Sequence, residues 1–482
     1  MMNQLIRKLQ PTRLWNNFAD INAIPRPSKK EDKIRSFMVK FGKKLNLKTV
    51  VDPVGNVIIK KTATTGMEKR KTVVLQSHLD MVCQKNNDID FDFNTQGIKM
   101  DIDGEWVTAD GTTLGADNGI GVAAIMSVLE STDIPHPAIE ALFTIDEETG
   151  MTGALGLQAG YLDGEILLNL DTEDDDEIAM GCAGGIDITA TKSYTPILVN
   201  AEKAFAINVK GLNGGHSGID IHKGYGNANK ILNRVLYAIN NLMLISEIDG
   251  GSLRNAIPRE ANATLVTNHE LELLNVFNHV SELIINEYAS IEPNLEITIH
   301  DVDPPMNSLS KNQQEDFIRA IYAIHNGVFR MSPDIQGLVE TSNNLARVKI
   351  KNGKAKFLCL TRSATEVGKL DMAHHIKCGL ELAGFEIKLD GSYPGWKPNP
   401  KSNILKVLQS IYTKLYGAEP KIIAYHAGLE CGILGTNYPE MDMISFGPTI
   451  KRAHSPDEKV SIPSTQKFWN YLIEILKCIP EK

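Results

Sequence analysis

The chain has 482 residues, more than one ordinary hydrophobic core supports, so two or more domains are expected. Its hydrophobic share of 42% and charged share of 23% are those of a folded globular protein and argue against disorder over most of the length. A net charge of −9, without a basic tract or a basic stripe interleaved with aromatics, speaks against nucleic-acid binding. No apolar run reaches membrane-spanning length, and the first residues lack the apolar core of a signal peptide. The six cysteines show no C-x-x-C spacing and are expected to be reduced thiols, which fits a cytoplasmic protein and not a cysteine-based metal site.

The first 186 residues alternate strand-like and helix-like stretches. Residues 72–75 form a short apolar run suited to a buried strand. Helical spacing follows over 119–130 through Ile120, Ala123, Ala124 and Val128, and 141–145 and 165–170 are again strand-like. This order predicts an α/β sandwich around a mixed, largely parallel sheet. The texture changes after Gly181-Cys182-Ala183-Gly184-Gly185, whose glycines suit a hinge. Beyond it, strands are expected over 204–209, 263–267, 295–300, 357–361 and 385–389, and helices over 227–242, 271–288 and about 364–382. That is the pattern of an α+β insert built from ferredoxin-like units, with a suggestion of two. Tyr393-Pro394-Gly395-Trp396-Lys397-Pro398-Asn399-Pro400 makes a stiff connector. A helix with apolar Ile404, Leu405, Leu408, Ile411 and Leu415 follows and closes at Gly417. The expected organisation is a discontinuous first domain, 1–186 plus 397–482, interrupted by an inserted domain, 187–396.

Several acids and histidines sit at or just beyond the ends of these apolar strands, where open α/β sheets bind ligands. In Ser77-His78-Leu79-Asp80 the histidine and aspartate are two apart and share a face in extended chain, so the carboxylate can orient the imidazole of a metal ligand. Read alone, the pair is a weak signal, and a structural histidine with a satisfied hydrogen bond explains it better. Asp117, in Gly115-Ala116-Asp117-Asn118-Gly119, precedes a helix and reads either as an N-cap or as a carboxylate that bridges two cations. Asp146-Glu147-Glu148-Thr149-Gly150 sets three acids on one turn. It is either a solvated acidic turn or a site whose like charges need a cation to hold them, with one acid ligating and its neighbour acting as a base. Asp171 ends the strand of Asn169-Leu170-Asp171, and His454 lies in a loop near the C-terminus. Together, two histidines and three carboxylates form the mixed donor set of a two-zinc hydrolase. H-E-x-x-H, G-x-S-x-G and P-loop signatures are absent.

With these stretches in order, and with Gly214-Gly215-His216-Ser217-Gly218 in the insert, essentially the whole chain resembles the aminoacylase/carboxypeptidase G-like family of dizinc peptidases. The resemblance implies a zinc-exopeptidase-type catalytic sandwich with a ferredoxin-like lid. It implies that Asp117 bridges two Zn²⁺, that His78 and Asp171 complete one site and Glu148 and His454 the other, that Asp80 supports His78, and that Glu147 is the general base. By the same likeness His216 steadies the oxyanion, while Asn255, Arg362 and Gly428 contact substrate. The implied activity is hydrolysis of short unblocked peptides, Xaa-His dipeptides including β-Ala-His among them. Co²⁺ or Mn²⁺ are the expected substitutes for zinc, and a homodimer is the expected assembly. A related N-acyl-amino-acid deacylase and a non-catalytic metal-binding scaffold are the alternatives. His136, His222, His374, His375 and His426 have no role in the family pattern, His426 being the one that lies beside a family loop.

Overall fold

The structure, a computed structural model, describes residues 3–201 and 203–482. Within them the chain forms two compact units: one runs up to Gly181 and resumes over Pro398–Ala424 and Leu429–Lys482, and the other comprises Cys182–Lys397 and Tyr425–Gly428. From sequence alone 425–428 falls within 397–482; in the structure it groups with the second unit. Its carbonyls explain why, since the Ala183 backbone N–H donates to those of Tyr425 and Ala427 at 2.9 and 3.1 Å.

The first unit is built on an eight-stranded mixed sheet. Its centre is four parallel strands in the order Ile139–Thr144, Val73–His78, Ile166–Asn169, Asp442–Ser445. The first three are buried along their whole length, as their unbroken apolar character requires of strands covered on both faces. Antiparallel strands flank them, Val57–Lys61 and Lys48–Val51 on one side and Glu177–Cys182 on the other. Ala116–Glu130 is apolar nearly all round and packs between the strand Val73–His78 and the helix Thr12–Asn22. Asn403–Tyr416 closes at Gly417 in the left-handed conformation (φ 70°) and packs on Asp442–Ser445 and on Ile462–Lys477. A separate four-stranded antiparallel sheet has the order Ile450–Lys451, Lys459–Ser461, Trp106–Ala109, Met100–Asp103. It ties the loop carrying His454 to the strand that leads into the Asp117 loop.

The second unit is a nine-stranded antiparallel sheet backed by four long helices. One half, Lys203–Lys210, Ala228–Ala238, Leu244–Gly251, Ala261–Thr267, Glu270–Tyr288 and Glu296–Asp301, is a complete ferredoxin-like βαββαβ unit. It is inserted into a second unit of the same topology formed by Gly184–Ser193, Lys311–Ala323, Val339–Lys351, Lys354–Ser363, Glu366–Leu382 and Glu386–Tyr393. The two share one sheet because Leu244–Gly251 pairs antiparallel with Val339–Lys351. One apolar core runs beneath both, from Phe205 and Leu236 to Phe317, Phe357 and Phe385. At the entry and exit of this unit Cys182 and Trp396 exchange two backbone hydrogen bonds, 2.8 and 2.9 Å.

Candidate metal centre

Three parallel strands carry His78, Glu147, Glu148 and Asp171 to one place, and loops of the four-stranded antiparallel sheet bring Asp117 and His454. His78 is the last residue of its strand, Asp171 lies two beyond Asn169, and Glu147 and Glu148 open a short helical turn after Thr144. Asp117 does not cap its helix. Its backbone is extended (φ −80°, ψ 112°) just before the regular helix, as a cap's would be, but among the described residues no helix N–H donates to its carboxylate. Its Oδ1 lies 3.1 Å from His78 Nε2 and its Oδ2 3.2 Å from His454 Nε2, so one carboxylate faces both imidazoles. Asp171 Oδ1 is 3.5 Å from His78 Nε2, and Glu148 Oε2 is 3.1 Å from His454 Nε2. The donor atoms of His78, Asp117 and Asp171 lie within 4.8 Å of one another, as do those of Asp117, Glu148 and His454, and those of His78, Glu147 and Glu148.

The electrostatics of this cluster call for cations. Among the described residues none of these carboxylates makes an ion pair with a lysine or arginine. Burial pushes the Glu147 carboxyl well above its ordinary range, and the negative charges of Asp171, Glu148 and Glu430 add to it. Burial raises Glu148 as well. The imidazoles supply what positive charge there is. Hydrogen bonds to Asp117 and Glu148 lift His454 to about 11. His78, which burial alone would lower, is raised well above its usual value by Asp171, Asp117 and Asp80. Glu148 Oε1 is buried without a hydrogen-bond partner. Two imidazoles, an acceptor carboxylate shared between them, and an orphaned buried carboxylate oxygen form a donor set that fits two divalent ions.

Residues far away in sequence hold the ligand loops. Asp80 accepts the backbone N–H of Glu147 (3.0 Å) and of Glu148 (3.2 Å) and the hydroxyl of Ser28 (2.7 Å), while its Oδ1 lies 3.4 Å from His78 Nδ1. Arg26 is buried and donates to the carbonyls of Leu79 (3.2 Å), Asp80 (2.9 Å) and Gly115 (2.6 Å), tying the His78 loop to the Asp117 loop. Gly115 is at φ 70°, and a Cβ there would lie 2.4 Å from Arg26, so only glycine fits. Glu458 accepts four backbone N–H groups, those of Leu114, Gly115, Ala116 and Asp117, at 2.8 to 3.3 Å. It thereby ties the His454 segment to the Asp117 loop. Neither Arg26 nor Glu458 carries a local sequence signal.

The substrate-contact candidates belong to the second unit. His216 Nδ1 accepts the N–H groups of Gly218 (3.2 Å) and Ile219 (3.1 Å). Arg362 is buried, donates to Tyr393 Oη at 2.8 Å and has its Nη2 3.4 Å from His216 Nε2. Asn255 is exposed, and its carbonyl accepts the Ser217 N–H at 2.8 Å. Gly428 ends the Tyr425–Gly428 segment. His426 is buried, with Nε2 2.7 Å from Ser342 Oγ, and burial lowers it to about 3, aided by Arg362. Of the other histidines, His136 is buried with Nδ1 on the Pro137 carbonyl at 2.7 Å.

The sequence model of peptidase family M20/M25/M40 matches residues 74–477, and the chain belongs to that family of peptide hydrolases. The cytosol non-specific dipeptidase of Escherichia coli is 44% identical over 99% of both chains. The crystal structure of an aminoacylhistidine dipeptidase from Vibrio alginolyticus superposes with a TM-score of 0.92 at 47% identity, covering 99% of this chain and 98% of that one. An aminopeptidase PepT from Bacillus cereus shares the fold alone, with a TM-score of 0.57 at 16% identity, covering 97% of this chain and 98% of its own.

Glu458→Gln puts an amide N–H against backbone N–H groups that now share a carboxylate. A stability loss of about 1–3 kcal/mol is expected, read by urea unfolding of the metal-stripped chain. An unchanged midpoint contradicts the tethering role.

Proposed function

We propose that the chain is a cytoplasmic metallo-dipeptidase that hydrolyses short unblocked peptides, Xaa-His dipeptides including β-Ala-His among them. Two zinc ions would be held by His78 and Asp171 on one side and Glu148 and His454 on the other, with Asp117 between, and Co²⁺ or Mn²⁺ able to substitute. The observation that carries the proposal is the Asp117 carboxylate, whose two oxygens face two imidazoles, with the half-buried Glu147 beside them. Likeness to dipeptidases over nearly the full length supports the substrate class, and the name of the Escherichia coli relative supports the location.

Bound divalent ions supply Lewis acidity and lower the pKa of water at the centre. The chain's own groups do the rest. Asp80 holds His78 in orientation and pins the backbone of Glu147. Glu147 forms no ion pair among the described residues, and its raised proton affinity suits a base that takes the proton of the attacking water and hands it to the leaving amine. His216 would steady the carbonyl oxygen as that oxygen gains charge. Arg362 is buried with no carboxylate partner among the described residues, which suits it to grip the free carboxylate of a substrate. Asn255 and Gly428 would complete the substrate contacts. The inserted unit would act as a lid that closes over a short peptide. His216 and Arg362 come together within one chain, so a homodimer is not required to pair them.

Glu147→Gln is expected to keep its metal and lose roughly 10²–10⁴-fold in kcat, the range for a missing general base. Glu148→Gln is expected to bind metal more weakly instead. Identical behaviour of the two in metal analysis and kinetics would remove the division of roles.

Amidating the C-terminus of a good dipeptide substrate takes away the charge that Arg362 pairs with. A drop of about 10–100-fold in kcat/KM is expected, the cost of a lost hydrogen bond to a charged group. Equal rates on the free and amidated peptides would exclude the clamp, and preference for an N-acetyl substrate would move the assignment to a deacylase.

A further inference from the structure

Beneath the ligand-bearing strand ends lies a line of polar side chains that the chemistry above does not use. Gln76, Thr144, Asn169 and Ser445, on strands of the sheet, and Glu430, at the start of the helix Glu430–Asn437, are each 0% exposed. Gln76 and Asn169 are register partners on neighbouring parallel strands, and so are Asn169 and Ser445. The row therefore crosses the sheet at one level. Gln76 stands two residues before His78, Asn169 two before Asp171, Thr144 three before Glu147, and Ser445 ends the strand that leads toward His454.

The hydrogen bonds of this row run one way. Thr172 Oγ1 and Ser445 Oγ are 2.8 Å apart, and Ser445 donates to Asn169 Oδ1. Asn169 Nδ2 donates to Gln76 Oε1, and Gln76 Nε2 donates to Glu430 Oε2 at 2.6 Å. Thr144 Oγ1 donates to the same oxygen at 2.7 Å. Glu430 sets this direction. Because its Oε2 is an acceptor, Gln76 must turn its amide N–H₂ toward it and offer its oxygen to Asn169. Asn169 must then present its own N–H₂ to Gln76 and its oxygen to Ser445. Bonds aligned in this way polarise and strengthen one another, and each amide is locked in one rotamer. The other oxygen, Glu430 Oε1, is buried and has no hydrogen-bond partner. A row of leucines would fill the same space without the cost of burying amides and a carboxyl. What the polar row adds is a fixed side-to-side alignment of the strands that carry the ligands.

We infer that Glu430 and the Gln76–Asn169–Ser445 row are positioning residues for the metal centre: Glu430, as the terminal acceptor, orients the row, and the row holds the ends of the ligand-bearing strands in alignment. This rests on the ligand assignment proposed above. The role differs from that of Asp80, which meets His78 and the Glu147–Glu148 backbone directly, whereas the row acts through the strands that precede the ligands.

Zn²⁺ titration of the metal-stripped full chain against a chromophoric chelator tests it, with thermal unfolding of the same samples alongside. Glu430→Gln keeps an acceptor oxygen for Gln76 and Thr144, and wild-type affinity is expected. Glu430→Met keeps the bulk but removes the acceptor, and a loss of about 10–100-fold is expected, the usual range for outer-sphere partners of metal ligands. Gln76→Met breaks the row in the middle without altering the helix that carries Glu430, and a similar loss is expected. It decides the matter alone should Glu430→Met fail to fold. Wild-type affinity in Glu430→Met and Gln76→Met would show that the row only fills the core. Equal loss in Glu430→Gln and Glu430→Met would show that charge matters and the acceptor does not. Either result overturns the inference. Asp117→Ala separates the two levels: if it retains zinc, the ligand assignment itself fails, whereas loss there with none in the row variants defeats the row alone.

Discussion

Mutual repulsion among Asp117, Glu147, Glu148 and Asp171 is the constraint around which the first unit is organised. Carboxylates so close together and so poorly solvated do not stay ionised without positive charge. The imidazoles of His78 and His454 face these acids, which raise the proton affinity of both. Divalent ions at the same donors would supply that positive charge and displace protons held there, so metal binding and proton release are coupled. The surrounding bonds are consistent with that load. Asp80, Arg26 and Glu458 each spend their capacity on backbone groups of the ligand loops, which resists the splaying that repulsion would drive.

The division of labour between the units follows from their sheets. A parallel sheet delivers loops from several strands to one end, which suits a centre that needs five donors from distant segments. The antiparallel second unit has another arrangement: one ferredoxin-like unit inserted into another, joined through Leu244–Gly251 and Val339–Lys351. That join sets His216, from the inner unit, beside Arg362, from the outer one. Two copies of one topology thereby place two different substrate-contact candidates together in a single chain.

Much of this was legible in the sequence, and what was hidden had physical reasons. The buried parallel strands announce themselves as short apolar runs, and the acids and histidine at their ends stand out because charge is rare next to such runs. The choice for Asp117 between helix cap and shared carboxylate needed coordinates, since both begin with an aspartate before a helix. The strand Val339–Lys351 lacks an apolar signal at its start, where Glu340, Thr341, Ser342, Asn343 and Asn344 are polar yet all buried. Contact with nearby loops gives several of these groups partners, as when Asn344 Nδ2 donates to the carbonyls of Arg254 and Ala256. The helix expected over 227–242 stops at Ala238 and continues only as the 3₁₀ turn Asn240–Leu242. Arg26, Glu430 and Glu458 could not be found from local pattern, because what distinguishes each is the long-range backbone or amide group it meets.

The shared role of Asp117 is the claim on which the others stand, and it is directly visible to diffraction. Crystals grown with zinc, measured above and below the zinc absorption edge, should show two anomalous peaks flanking the Asp117 carboxylate. One peak should lie within bonding distance of His78 and Asp171, the other of Glu148 and His454. A single peak, or peaks elsewhere, such as among Glu31, Asp80 and Asp146, whose donor atoms also converge within 4.8 Å, would contradict it.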